Sequence, residues 1–379
     1  MEEHIGHVHI KRFESLSEVA WSRPGRVALL VDGTDYGVFS ALTMAGAVVD
    51  KTQLSTTYLD EDTLFDRPPA EGTRSVVAVG SGLLLDAAKL WASTHGLPLL
   101  LVPSDYHPSA ATAAACCLTE KGTVACNTPI EVALIRPLLR PSRQSVSLLY
   151  ASLVTAFVRI HSRLFANRFQ AQEALNPALK EEMAKLEGVL LSTNEYADGL
   201  VEVLWEALLQ AEKVLPLEPN DETLLLALMI SIYKERKMPY NNYVMAAAYT
   251  LGSVVRLLPR LPNLCLPPER VGIWQDMDRV LGWHRGGKLP TAAEQIRYDH
   301  VWRDWQTDAK EQLQNLPTFA RNWRRLVGPA GYGYFEDLAY ADLVRLLPMV
   351  AEAVDTYSPL KHIYWRGLLP KTKPATKHA

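Results

Sequence analysis

A chain of 379 residues is too long for one ordinary domain and fits two. Its residues are 48% hydrophobic and 21% charged, enough apolar material for a full core, which excludes a wholly disordered chain. Lys and Arg number 39 against 42 Asp and Glu, a formal charge of −3, so no global basic field exists to hold nucleic acid.

The N-terminus, MEEHIGHVHIKRFESL, is polar and acidic at its start. It has neither the apolar core of a secretory signal nor the Arg-rich, acid-poor character of a transit peptide. His4, His7 and His9 read as solvated residues of a mobile segment. No run reaches the 18 or so apolar residues of a membrane span. The expectation is an intracellular, cytoplasmic protein with no membrane partner.

Strand and helix signals then alternate. Arg26–Asp32 (RVALLVD) is a compact apolar run, broken by Gly33 to Gly37. Val38–Ala45 suits a short helix, and Ala47-Val48-Val49 leads into a second strand. Ser75–Val79 (SVVAV) is a buried strand, followed by Gly80-Ser81-Gly82, a helix over Leu83–Thr94, a stop at Gly96 and a strand over Leu97–Val102. That order is a βαβ unit on a parallel sheet buried on both faces. Cys116, Cys117, Cys126 and Cys265 make no disulfide framework or metal knuckle. The adjacent pair reads as small core residues.

Past Arg140-Pro141 the pattern turns helical. Helices are expected across Ser145 to Leu208, Leu224–Tyr233, Tyr243–Leu258, Tyr298–Trp305, Asp308–Leu316 and Leu343–Tyr357, with a Pro-rich loop at 258–268. The expected organisation is an α/β nucleotide-binding-like domain over 1–142, an α-helical domain over 143–370 and a basic tail over 371–379. Trp302, Trp305 and Trp323 stand among arginines; helical spacing favours core packing, ahead of a protein interface and well ahead of nucleic acid.

Gly80-Ser81-Gly82 sits where a strand hands over to a helix. Glycines let a ligand approach the backbone, and free N–H groups at a helix start attract an anion. The same turn also serves as a tight connection with no ligand. The surrounding stretch VAVGSGLLLDAAKLWASTHGLPLLLVPS resembles the nucleotide-binding segment of the iron-dependent alcohol dehydrogenase and dehydroquinate synthase superfamily. With its GSG turn and the closing stretch from Leu316 to His362, the chain is similar to the sn-glycerol-1-phosphate dehydrogenase branch. The resemblance implies a Rossmann-like N-terminal domain binding NAD or NADP through Asp32, Gly80, Ser81, Gly82, Asp86, Lys89 and Ser104. It also implies a divalent metal held in the helical domain by one carboxylate and two imidazoles, polarising the substrate oxygen for hydride transfer.

The metal half of that pattern is missing. No Asp or Glu stands between Glu131 and Glu173, and Ser152 falls where the metal carboxylate belongs. No histidine stands between His161 and His284; Asn220-Asp221-Glu222 reads as a helix start, and Pro239-Tyr240-Asn241-Asn242 replaces the later imidazole. Ser109-Ala110 replaces the Asp-Gly near the nicotinamide. His161 reads as part of an ordinary helix face, and His284 opens a basic glycine loop read as solvated.

The favoured expectation is a metal-free, non-catalytic homologue with a structural, regulatory or assembly role. It keeps at most a residual nucleotide pocket, and protein partners or a second copy bind through the helical domain. The alternative is metal-independent chemistry on a phosphorylated polyol, with His107, Asp105 and Tyr106 as catalytic groups.

Overall fold

A computed structural model describes the chain except residues 1, 24, 55–63, 65–66, 107–110, 119–121, 140, 171, 173, 175, 234–240, 258–291, 329–339, 355–357, 366–368 and 370–379. The side chains of 241–243, 254, 256–257, 292, 294–295, 297–299, 303–304, 306, 340–345 and 365 are also outside the description. The chain divides into two compact units. One comprises Met1–Leu118 with Thr123–Ser145 and Pro216–Pro219; the other comprises Thr119–Gly122, Val146–Leu215 and Asn220–Ala379.

The first unit is built on a seven-stranded sheet of order β1-β2-β9-β6-β5-β3-β4. Its strands are β1 (Glu2–Ile5), β2 (Val8–Phe13), β3 (Arg26–Val31), β4 (Val48–Gln53), β5 (Thr73–Gly80), β6 (Leu99–Pro103) and β9 (Ile130–Ile135). Only β1 and β2 run antiparallel; the other pairs are parallel. Val27, Leu29 and Val31 of β3 pack with Val77 and Val79 of β5 and with Val38 and Leu42 of helix α1 (Val38–Met44). Alternate residues of β5 and β6 are buried too, so these strands read as continuous apolar runs. Helix α2 (Gly82–Thr94) follows β5, and β7 (Ala115–Leu118) with β8 (Gly122–Ala125) forms a separate two-stranded sheet.

The N-terminal segment, expected as a mobile tail, is paired into the sheet over Glu2–Ile5 and Val8–Phe13. Val8 and Ile10 alternate with polar residues and bury one face of β2, while β1 folds back antiparallel on it. His4 and His9 stand directly opposite each other with their rings stacked at 4.2 Å, and His7 Nε2 donates to the Cys126 carbonyl at 2.7 Å.

The second unit is helical: α3 (Arg143–Phe169), α4 (Asn176–Ser192), α5 (Leu200–Val214), α6 (Glu222–Tyr233), α7 (Asn241–Leu257), α8 (Ala292–Gln312), α9 (Leu316–Val327), α10 (Tyr340–Ala353) and α11 (Pro359–Trp365). The two short helices expected at Tyr298–Trp305 and Asp308–Leu316 are one helix, α8, because no breaker separates Trp305 from Asp308. Helix α3 is 27 residues and apolar enough to cross a membrane by length and composition, unlike the sequence expectation, but 78% of its apolar window is buried inside the protein. Trp305 and Trp323 are buried; on α9 Trp323, Phe319 and Leu326 point inward while Arg321, Arg324 and Arg325 stay exposed. Core packing accounts for these two tryptophans.

Candidate functional site

Three adjacent strands end together in the sheet order β6-β5-β3. From β3 the chain steps outward to β4 and then returns to the other side of β3 as β5. The gap between β3 and β5 is therefore the point where strand order reverses, the usual ligand position in an open α/β sheet. Asp32 follows β3, Gly80 ends β5 with Ser81 next, and Ser104, Asp105 and Tyr106 follow β6.

The Asp32 carboxylate does not stand free at this edge. Ser81 N donates to Asp32 Oδ2 at 2.5 Å. Ser81 is the N-cap of α2 and makes no cap with its own hydroxyl. The anion at this helix start is thus a side chain of the protein, held by a backbone N–H and the helix dipole. A Cβ at Gly80 would lie 2.4 to 2.5 Å from all three terminal atoms of that carboxylate. Any side chain here would have to displace the Asp32 carboxylate. Ser104 N donates to Gly80 O at 2.9 Å, tying the third strand end to the same turn.

Asp105 is the second carboxylate of the group. Burial, with the negative charge of Asp32 added, pushes its pKa up to about 6. Its Oδ1 is buried without a hydrogen-bond partner among the described residues. The folded chain therefore holds a proton here more tightly than the unfolded chain, whose carboxyl follows the ordinary value of 3.8. Its contribution to stability falls as pH rises from about 4 through 6. Asp105→Asn should melt at a higher temperature than the parent at about pH 7.5, with the difference shrinking toward pH 4; a constant difference across that range would contradict the assignment.

Tyr106 is buried beside Asp105 in sequence, and Gly82 is buried as the first residue of α2. His107 lies outside the described residues, as do Ser109, Ala110, His284 and the 371–379 tail. Asp86 and Lys89 lie in the interior. They are 2% and 0% exposed, and Lys89 Nζ lies 3.2 Å from Asp86 Oδ1. Lys89 also donates to Ala115 O at 3.0 Å, and Asp86 Oδ2 accepts Cys117 N at 3.2 Å. Burial raises the Asp86 carboxyl pKa despite the ammonium beside it. These two side chains face inward and fasten α2 onto β7.

The helical unit holds the remaining candidates. Burial drives the His161 pKa down to about 3, and its ring packs 4.5 Å from Trp305, so it is a neutral core imidazole. Asp221 Oδ1 accepts Thr223 N at 2.9 Å and Leu224 N at 3.3 Å, starting α6 as a cap. Glu222 is buried, and desolvation lifts its pKa to about 8.

The described residues offer no donor set that fits a first-row metal of the kind the resemblance implies. Between Glu131 and Glu173 the chain offers no carboxylate, Asp221 is engaged by a helix start, and no three His, Cys, Asp or Glu side chains converge among the described residues.

No protein-family model and no curated protein matches the sequence. Solved structures do. An archaeal halo-thermophilic alcohol dehydrogenase from a Red Sea brine pool aligns over 91% of this chain and 92% of its own, with 16% identity and a TM-score of 0.50. An iron-containing alcohol dehydrogenase from Thermotoga maritima aligns over 91% and 92%, with 15% identity and a TM-score of 0.47. Glycerol dehydrogenase from Schizosaccharomyces pombe aligns over 79% and 84%, with 14% identity and a TM-score of 0.45. Identity at this level speaks to fold alone, and the likeness of fold is to the Red Sea brine pool alcohol dehydrogenase.

Proposed function

We propose that this chain is a metal-independent relative of the sn-glycerol-1-phosphate dehydrogenases that recognises the hydroxyls of a nucleotide ribose, NAD or NADP, and serves as a structural or regulatory subunit. The observation that carries this reading is the Asp32 carboxylate seated on Ser81 N at the start of α2. A carboxylate there repels phosphate and welcomes hydroxyl donors. Asp105, with a buried and unpaired oxygen, offers a second acceptor at the same sheet edge. Two acceptors suit a vicinal diol, and the missing metal donors in the sequence remove the Lewis acid that hydride transfer in this fold employs. The helical unit supplies the surface for assembly with protein partners or a second copy.

Thermal unfolding tests the proposal. Millimolar NAD(H) or NADP(H) should raise the melting midpoint by a few degrees, and Gly82→Trp should abolish the shift. Inorganic phosphate should leave the parent unmoved and stabilise Asp32→Ala, in which the helix start is vacated. No shift with any nucleotide, or near one zinc or iron per chain by elemental analysis, would sink the reading.

One observation favours a second reading. Asp105, with its pKa near 6, exchanges a proton close to neutral pH. With Tyr106 and His107 it makes a candidate acid–base group for metal-free chemistry on a phosphorylated polyol. Nicotinamide turnover that survives exhaustive chelation and is lost in Asp105→Asn would decide for it.

A further inference from the structure

Two aspartates in the chain precede glycine, Asp32-Gly33 and Asp198-Gly199, and the fold treats them in opposite ways. Asp32 is pinned: its Oδ2 accepts Ser81 N at 2.5 Å, and its carboxyl group fills the space that a Cβ on Gly80 would take. Asp198 and Gly199 are exposed in the turn that leads into α5, where Gly199 is the N-cap. Gly199 has φ +78°, a conformation glycine adopts readily, and a Cβ there would meet nothing within 4 Å. Among the described residues neither the Asp198 carboxylate nor the Gly199 N–H takes part in a hydrogen bond or ion pair.

The structure assigns Asp198-Gly199 as a site of spontaneous backbone isomerisation, converting Asp198 to isoaspartate, with Asp32-Gly33 protected by the fold. The amide nitrogen of Gly199 attacks the side-chain carboxyl carbon of Asp198. A C–N bond forms, and the carboxyl C–O bond breaks as its hydroxyl leaves with the amide proton as water. The cyclic imide then takes up water at the former backbone carbonyl of Asp198. That C–N bond breaks, the chain now runs through the side-chain carbonyl, and a free α-carboxylate is left. One water leaves and one enters, so the step needs no co-reactant. Attack between neighbouring groups requires no encounter of molecules, and the freedom of the two groups to meet gates it. An unpinned carboxylate, an unengaged N–H and a glycine with open space around it supply that freedom; the bond to Ser81 N withholds it at Asp32.

Isomerisation lengthens the backbone by one methylene inside the turn closed by Leu200 N on Ala197 O at 3.2 Å, so that bond is lost. Val203 N on Gly199 O, at 3.3 Å, lies beyond the insertion, and α5 keeps its first helical bond. The new α-carboxylate on this exposed turn is the group methylated by enzymes that repair isoaspartate with S-adenosylmethionine.

The full chain, aged for weeks at body temperature in mildly acidic buffer and then digested with trypsin, tests the assignment. The peptide Leu186–Lys213 should split into two species of equal mass, one with isoaspartate at 198 by electron-transfer fragmentation. In Val27–Lys51, isoaspartate at 32 should be about tenfold lower or less, the factor that one charge-assisted hydrogen bond supplies. Chain aged in denaturant should carry isoaspartate at both positions to a similar extent, because the protection belongs to the fold. Methyl incorporation by isoaspartyl methyltransferase should rise with ageing in the folded parent and stay flat in Asp198→Glu, whose longer side chain closes a less favourable ring. Isoaspartate at 32 equal to or above that at 198 in the folded chain, or none at 198, would overturn the assignment.

Discussion

Lys89→Met should cost about 3–5 kcal/mol of unfolding free energy, measured by urea titration at neutral pH. Lys89 has no solvent-exposed surface and stands 3.2 Å from a carboxylate that is itself 2% exposed. Removing the ammonium leaves Asp86 in an apolar interior with, among the described residues, the Cys117 N–H to support it. The carboxylate then neutralises by taking a proton, so the loss should shrink as pH falls. It should also shrink in the double variant Asp86→Asn/Lys89→Met, where neither charge remains. A loss under about 1 kcal/mol in the single variant would mean water reaches this pair.

Arg159→Met should destabilise the helical unit by a similar amount, about 3–5 kcal/mol. Arg159 Nη1 lies 3.1 Å from Glu212 Oε1, and Nε lies 3.6 Å from Asp221 Oδ2. Its other terminal nitrogen donates to the Leu215 carbonyl at the end of α5. One side chain on α3 thus joins the end of α5 to the start of α6. Without it two poorly hydrated carboxylates face each other, and the cap on α6 is disturbed. Calorimetry that shows an unchanged transition for the helical unit at neutral pH would refute this account.

The strands bearing the candidate site were legible because each is buried on both faces. RVALLV, SVVAV and LLLVP are uninterrupted apolar runs bounded by glycine or proline, and a parallel sheet writes itself into sequence that way. β1 and β2 were not legible. EEHI and VHIKRF bury only alternate residues, so their composition reads as a solvated tail until a partner strand is known. β7 and β8, four residues each, are too short for any period to emerge. At the site, Asp32 and Gly80 were nominated by position. The reason glycine is needed is a contact between residues 48 apart in sequence, and only the pairing of β3 with β5 reveals it. The Asp86–Lys89 pair shows the converse: its three-residue spacing on a helix was visible, but the direction in which that face points was not.

The sheet order also sets a schedule for biosynthesis. β2 takes its parallel partner from β9, and Val8 is paired with Ile130. A nascent chain exposes the unpaired edge of the β1–β2 hairpin once that hairpin has been made. It must then wait for some 120 further residues, roughly 6–24 s at about 5–20 residues per second, before the strand that covers it has been made. The lysine and arginine on that hairpin keep an orphaned edge charged and hydrated during the interval, which discourages pairing with the wrong chain.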